Sequence, residues 1–267
     1  MLAVGGPAYG NQAQTPGAAG ALRAGCDAIG GLRFEDLPGS RLEAAAVAKI
    51  WSSSADGSGD TRVLSGRMAT KTTVKQDAIG RRVIHLATHG FFLQSPCDSP
   101  IAGTRAVGGL VARAASSPPF AENPLLLTGL AFSGANVRTG VRADRSDDGI
   151  LTAEEVAGLN LQGTEWVVLS ACDTGAGQIK AGEGVFGLRR AFQIAGVRTI
   201  IMSLWSVEDR STQIWMRNLY EARFNLQLST PAAIREASVR VLKQRRAGRE
   251  STHPFFWAAF VAAGDWR

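Results

Sequence analysis

The sequence predicts an α/β protein whose mostly parallel sheet is covered by helices on both faces. Short, nearly uninterrupted apolar runs recur at 83–88, 165–172 and 199–205, the pattern of central parallel strands buried on both sides. Segments with helical periodicity lie between them, giving the strand–helix–strand order of a doubly covered sheet. Of 267 residues, 45% are hydrophobic and 19% charged, which suits one large domain with a substantial core and argues against global disorder.

Taken in order, LAV at 2–4 reads as a short strand. The rest of residues 1–38 is rich in Gly, Ala and Pro and reads as an N-terminal extension or part of an upstream segment. The chain is therefore expected to be the C-terminal piece of a larger protein, with its main domain over 39–267. Ser40 and Glu43 form a capping-box pattern, opening a helix that runs through Trp51. A strand at 62–64 precedes a helix from Thr70 to Ala78, which Gly80 ends. Residues 83–88 form a central strand, and 93–123 a long loop rich in Ser, Pro and Gly, suited to a lid or a self-cleavage segment. A strand or hairpin covers Pro124 to Ala135. Thr152 and Glu155 make a second capping box, for a short helix stopped by Gly158. The strand at 165–172 leads to a glycine-rich loop, then to a helix from Gly184 to Ala195 with Val185, Leu188 and Phe192 on one stripe. After the strand at 199–205 come helices at 209–226 and 231–247, the second with Thr230 as N-cap and Pro231 in its first turn. FFWAAFVAAG reads as the last strand.

Several function classes are disfavoured. The net charge of +6 would suit acidic partners, yet the dense basic cluster of Arg235, Arg240, Lys243, Arg245, Arg246 and Arg249 sits late on a helix. There it complements the helix dipole and lacks interleaved aromatics for base stacking. No nucleic acid partner is expected. Cys26, Cys97 and Cys172 match no zinc spacing and no disulfide scaffold. No apolar run approaches the ~20 residues that span a bilayer, and the first ten residues lack the basic and apolar regions of a signal peptide. A reducing cytoplasm without membrane attachment is the expectation. Gly182–Glu183–Gly184 lacks the Lys-Ser/Thr pair of a phosphate loop.

In an open α/β sheet, ligands bind beyond the carboxyl ends of the strands. His89 and Cys172 both stand at such ends, each followed by glycine-containing loops. On neighbouring strands they would face one cleft, an imidazole base beside a thiol nucleophile. Position alone leaves the bland readings open: a lone cysteine is usually a small buried hydrophobe, and a lone histidine usually structural. His85, mid-strand, should project into a layer covering the sheet, and His253 should shape the entry to the last strand.

HLATHGFF, DDGILTAEEV, LSACDTGAG, GEGVFGLRRAF, SLWSVED and HPFFWAAFVAAGDW together resemble the CHAT domain. The resemblance runs from about residue 40 to the C-terminus. That family belongs to the caspase–separase group of cysteine peptidases and often accompanies tetratricopeptide repeats. The resemblance implies a caspase-like α/β/α sandwich that cleaves a protein or peptide substrate through His89 and Cys172, with backbone N–H groups of Gly90 and Cys172 as the oxyanion hole. It implies no metal or organic cofactor, no acidic third triad member, and a repeat-containing region or regulatory protein as partner. SLWSVED resembles the segment where separases build part of the P1 pocket. Glu208 or Asp209 would then receive a P1 Arg or Lys, with Asp173 as another wall residue; equally, Asp209 would simply cap its own helix. The alternatives are a non-proteolytic signalling or scaffold domain and, more remotely, an esterase or transferase using Cys172.

Overall fold

The structure is a computed structural model that describes residues 1–10, 32–57, 59–92, 125, 128–137, 147–170, 183–205 and 207–265. The central sheet is built from β1 (Leu2–Pro7), β2 (Arg62–Gly66), β3 (Val83–Ala87), β7 (Trp166–Leu169), β8 (Thr199–Ser203) and β9 (Phe260–Gly264). Among the described residues its order is β2-β1-β3-β7-β8-β9. All neighbours are parallel except the edge pair β8–β9. A smaller antiparallel sheet joins β4 (Gly90–Phe92), β5 (Thr128–Ala131) and β6 (Ile150–Thr152) in the order β4-β5-β6. The segment expected as a strand or hairpin before Ala135 is thus the middle strand of a second sheet.

Alternation along the strands divides the core in two. Leu2, Val4, Ile84, Leu86, Val167, Leu169, Ile200 and Met202 face one layer. That layer contains residues of α2 (Lys71–Ala78), α3 (Ala153–Ala157) and α4 (Glu183–Ile194). Ala3, Val83, Trp166, Val168 and Ile201 face the other, packed on α1 (Pro38–Ser53), α5 (Asp209–Tyr220) and α6 (Thr230–Ala247). The fold is therefore the expected α/β arrangement, a largely parallel sheet flanked by helices, consistent with a caspase-like sandwich. The strand at 2–7, expected in an extension, lies between β2 and β3.

The helix starts correct the sequence reading at two places. The box at Thr152–Glu155 forms as expected, with both reciprocal hydrogen bonds. At Ser40–Glu43 it does not form. The helix begins earlier, at Pro38, and its N-cap Leu37 has no side-chain oxygen to offer. Ser40 and Glu43 fall one and two turns' faces inward and are buried. Ser40 Oγ accepts the Gly6 N–H at 2.8 Å, and Glu43 Oε1 lies 2.9 Å from His85 Nε2. The close approach of α1 to β1 needs a glycine: a Cβ on Gly5 would sit 2.1 Å from the Ser40 carbonyl oxygen. At the start of α6 the N-cap is Ser229, because the Thr230 hydroxyl is taken by Trp166 Nε1–H at 3.3 Å.

His85 projects into the helical layer, as its mid-strand position predicts. Tyr220 Oη lies 3.2 Å from its Nδ1, so one imidazole ties β3 to α1 and α5 within a fully buried triad. One tautomer satisfies every group, with Nε2–H donating to Glu43 and the Tyr220 hydroxyl donating to Nδ1.

Glu43→Ala would strand a buried ring nitrogen and remove the tie between α1 and β3. We expect a loss of about 2 kcal/mol or more in urea unfolding, with Glu43→Gln losing less because it keeps the acceptor. A Glu43→Ala protein as stable as wild type would show that the triad contributes nothing.

Candidate active site

Leaving β3, the chain passes through Thr88 and His89 and enters β4 at once, crossing from the large sheet to the small one. Both residues are buried. Thr88 Oγ1 hydrogen-bonds the Ala131 carbonyl and the Tyr9 hydroxyl, at 2.9 Å. The His89 carbonyl accepts the Ala131 N–H at 2.9 Å. The strand crossing is thereby locked to β5 on either side of the imidazole.

The ring itself is held by a small third core containing Tyr9, Leu32, Phe34 and Phe91. Tyr9 and Phe34 lie tilted against it, with ring centroids 5.2 and 5.7 Å away. Burial pushes the Tyr9 phenol up to about 12, so it remains a neutral hydroxyl. His89 Nε2 is 2.7 Å from the main-chain carbonyl oxygen of Glu35. A carbonyl can only accept, so Nε2 carries the hydrogen. In the neutral ring Nδ1 is then a bare lone pair, and among the described residues it is buried without a hydrogen-bond partner. Burial lowers the imidazole below its ordinary 6.5, partly offset by the Glu35 carbonyl. The ring is a neutral base at pH 7, oriented and unspent.

Glu35 is the participant that sequence reasoning missed. The hydrogen-bond partner is its main-chain oxygen, and the Glu35 carboxylate adds a smaller coulombic pull that raises the imidazole. A main-chain oxygen carries no residue-type signature, so no motif could have pointed to it.

The other predicted site residues are placed unequally. Gly90 opens β4 opposite Leu130. Because Ala131 N–H bonds the His89 carbonyl, this is a non-hydrogen-bonded pair, in which the Gly90 N–H points away from β5. Cys172 and Asp173 lie outside the described residues, as do Cys26, Cys97 and the loop at 93–123. The strand that leads to Cys172 is nonetheless described: β7 is the parallel neighbour of β3, paired through Leu86↔Leu169.

Asp209 does not cap its own helix. Its Oδ2 accepts the Gly39 N–H at 2.9 Å, capping the start of α1 from the first turn of α5. Glu208 is exposed and accepts from Ser211 Oγ at 2.9 Å. With Ser211, Ile214, Val241 and Phe256 it lines a recess of about 340 Å³. Arg245, from the basic cluster, closes one side of that recess. Its guanidinium lies 3.9 Å from the Phe256 ring centroid and 3.1 Å from the Glu250 carboxylate. His253 Nδ1 accepts the Phe255 N–H, forming the turn before β9. Among the described residues no group of three or more His, Cys, Asp or Glu side chains could hold a metal ion, and no helix is long and apolar enough to cross a membrane.

The structure is an α/β sandwich with a buried, singly tethered imidazole past the carboxyl end of β3. In comparison with known families, the CHAT domain matches residues 1–265. The chain belongs to the CHAT domain family, part of the caspase-like peptidase superfamily. Tetratricopeptide repeat protein 28 of Homo sapiens is 31% identical over 116 residues, 43% of this chain and 4% of that protein. Its Mus musculus counterpart is 29% identical over 116 residues, with the same shares. The chain thus spans only a small part of the length of these curated relatives.

The lowered His89 imidazole has a stability consequence with a definite sign. Below pH 6.5 the unfolded ring takes a proton that the folded ring refuses, so stability falls as pH drops through that value. At pH 7 and above the effect is absent. The melting temperature of His89→Gln should therefore decline less steeply than wild type just below pH 6.5. Parallel curves would show that the ring is not disfavoured in its charged form.

Proposed function

We propose that the chain is a cysteine endopeptidase that hydrolyses peptide bonds through His89 and Cys172. One observation carries the reading: a neutral imidazole with an unpartnered Nδ1, among the described residues, at the end of a strand whose parallel neighbour leads to the thiol. His89 and Cys172 each lie three positions in sequence beyond the paired residues Leu86 and Leu169, and the reading requires that the two meet at this sheet edge. Nδ1 takes the Cys172 proton and the thiolate attacks the scissile carbonyl carbon. The resulting oxyanion is held by the N–H groups of Gly90 and Cys172. The imidazolium then protonates the departing amine, and water hydrolyses the thioester. The Glu35 carbonyl stabilises the imidazolium through Nε2–H without itself taking a proton.

We place a basic side chain at P1. Each of the two neighbouring carboxylates already accepts one hydrogen bond, and Glu208 is the more exposed. The recess beside it offers Ile214, Val241 and Phe256 to an aliphatic stem, and its carboxylate would pair a guanidinium in competition with Arg210 and Arg245 of the same lining. Asp173 remains a candidate for the opposite wall. A repeat-containing region, such as the relatives' names describe for those proteins, would regulate access. Those names state repeats and no activity, which leaves a second reading, a signalling or scaffold domain that keeps the fold and turns nothing over.

A peptidyl electrophile separates the two. It should label wild type at Cys172, label Cys172→Ala not at all, and react with His89→Ala slower by roughly 10²–10⁴-fold. Equal labelling of wild type and His89→Ala would sink the dyad. In a P1 peptide library, Glu208→Gln should lose selectivity for Arg and Lys while Asp209→Asn loses mainly stability; cleavage after apolar or acidic residues alone would reject the basic pocket.

A further inference from the structure

The carbonyl that tethers His89 belongs to residues 32–37, which run outside any helix or strand. No ladder sets where Glu35 points. What grips this segment is the side chain of a distant residue. Asn136 Oδ1 accepts the Phe34 N–H at 3.0 Å, and its Nδ2 donates to the Phe34 carbonyl at 2.8 Å and to the Gly10 carbonyl at 3.3 Å. The Asn136 backbone N–H donates to the Tyr9 carbonyl at 2.8 Å. One residue therefore holds both segments whose rings flank His89: Tyr9 through its main chain and Phe34 through its side chain. Glu35 is the next residue after the gripped one.

We infer that Asn136 is a positioning residue for His89, its carboxamide clamping Phe34 so that the Glu35 carbonyl is presented to Nε2. The inference rests on the dyad reading above and deepens it. The clamp needs an acceptor and two donors at a fixed reach, which an asparagine amide supplies. Aspartate keeps the acceptor and loses both donors, glutamine is one methylene too long, and alanine keeps nothing. With the clamp gone, the main chain at 34–35 relaxes, the Nε2–H bond opens more often, and Nδ1 is no longer aimed at the nucleophile. Ser133 is the matched control. It belongs to the same turn and its hydroxyl donates to the Ala8 carbonyl at 3.1 Å, yet it does not touch Phe34 or Glu35.

The test uses the whole chain, with the ring N–H exchange of ¹⁵N-labelled histidines read by NMR and Cys172 alkylation by iodoacetamide followed against pH. The His85 ring, on β3 and held by Glu43 of α1, is the internal reference. Asn136→Ala should speed exchange of the His89 Nε2–H about tenfold and slow Cys172 alkylation at neutral pH by a similar factor. The His85 signal and the Ser133→Ala protein should match wild type. Asn136→Asp should fall between, and it serves as the test should Asn136→Ala not fold. Unchanged His89 exchange would overturn the inference. So would equal effects in Ser133→Ala, or a parallel change at His85, since each marks a general loosening of the fold. If His89→Ala leaves alkylation of Cys172 unaltered, the dyad reading fails and takes the catalytic meaning of the clamp with it. The exchange data alone would still report whether Asn136 holds the ring.

Discussion

The site depends on one hydrogen bond, from His89 Nε2–H to the Glu35 carbonyl at 2.7 Å. It decides which ring nitrogen carries the proton, and therefore which one is a base. A buried imidazole without this bond would be free to turn over or change tautomer, and burial alone would leave it a weak acceptor of charge. The main-chain carbonyl orients the ring and would stabilise a positive charge on it, and the Glu35 carboxylate adds a smaller coulombic pull in the same direction.

Much of the surrounding architecture serves to hold that carbonyl and that ring in register. β3 and the turn that follows it carry two histidines four residues apart with opposite duties. His85 faces the helices and is saturated by Glu43 and Tyr220, fixing α1 against the sheet. His89, past the end of the strand, keeps one nitrogen unpartnered among the described residues. The same helix α1 is anchored three ways, by Ser40 to Gly6, by Glu43 to His85 and by Asp209 to Gly39. It follows directly on the segment that bears Glu35. Polar side chains that look like surface caps in the sequence are thus spent on lateral ties to the sheet, which is why they are buried.

The candidate dyad was proposed from local signals, T-H-G and S-A-C each following an apolar run. The structure makes β3 and β7 parallel neighbours, while Cys172 lies outside the described residues. The capping box at Thr152 was legible because its donors and acceptors all lie within four residues. The apparent box at Ser40 failed because Pro38 starts the helix earlier and donors elsewhere, the Gly6 N–H and the His85 Nε2–H, take both side chains. Asp209 failed in the same manner: its partner is 170 positions away in sequence.

The sequence by itself determined the α/β class and the positions of the central strands, though β7 and β8 end sooner, at Leu169 and Ser203, than their apolar runs suggest. These follow from hydrophobic period and from short-range hydrogen bonding, which act between near neighbours. Tertiary structure alone decided which nitrogen of His89 carries the hydrogen, which oxygen accepts it, and that Asp209 caps α1 rather than its own helix. Each of those is a contact between segments remote in the chain, made in part by main-chain atoms that every residue possesses, and no pattern of side chains can announce it.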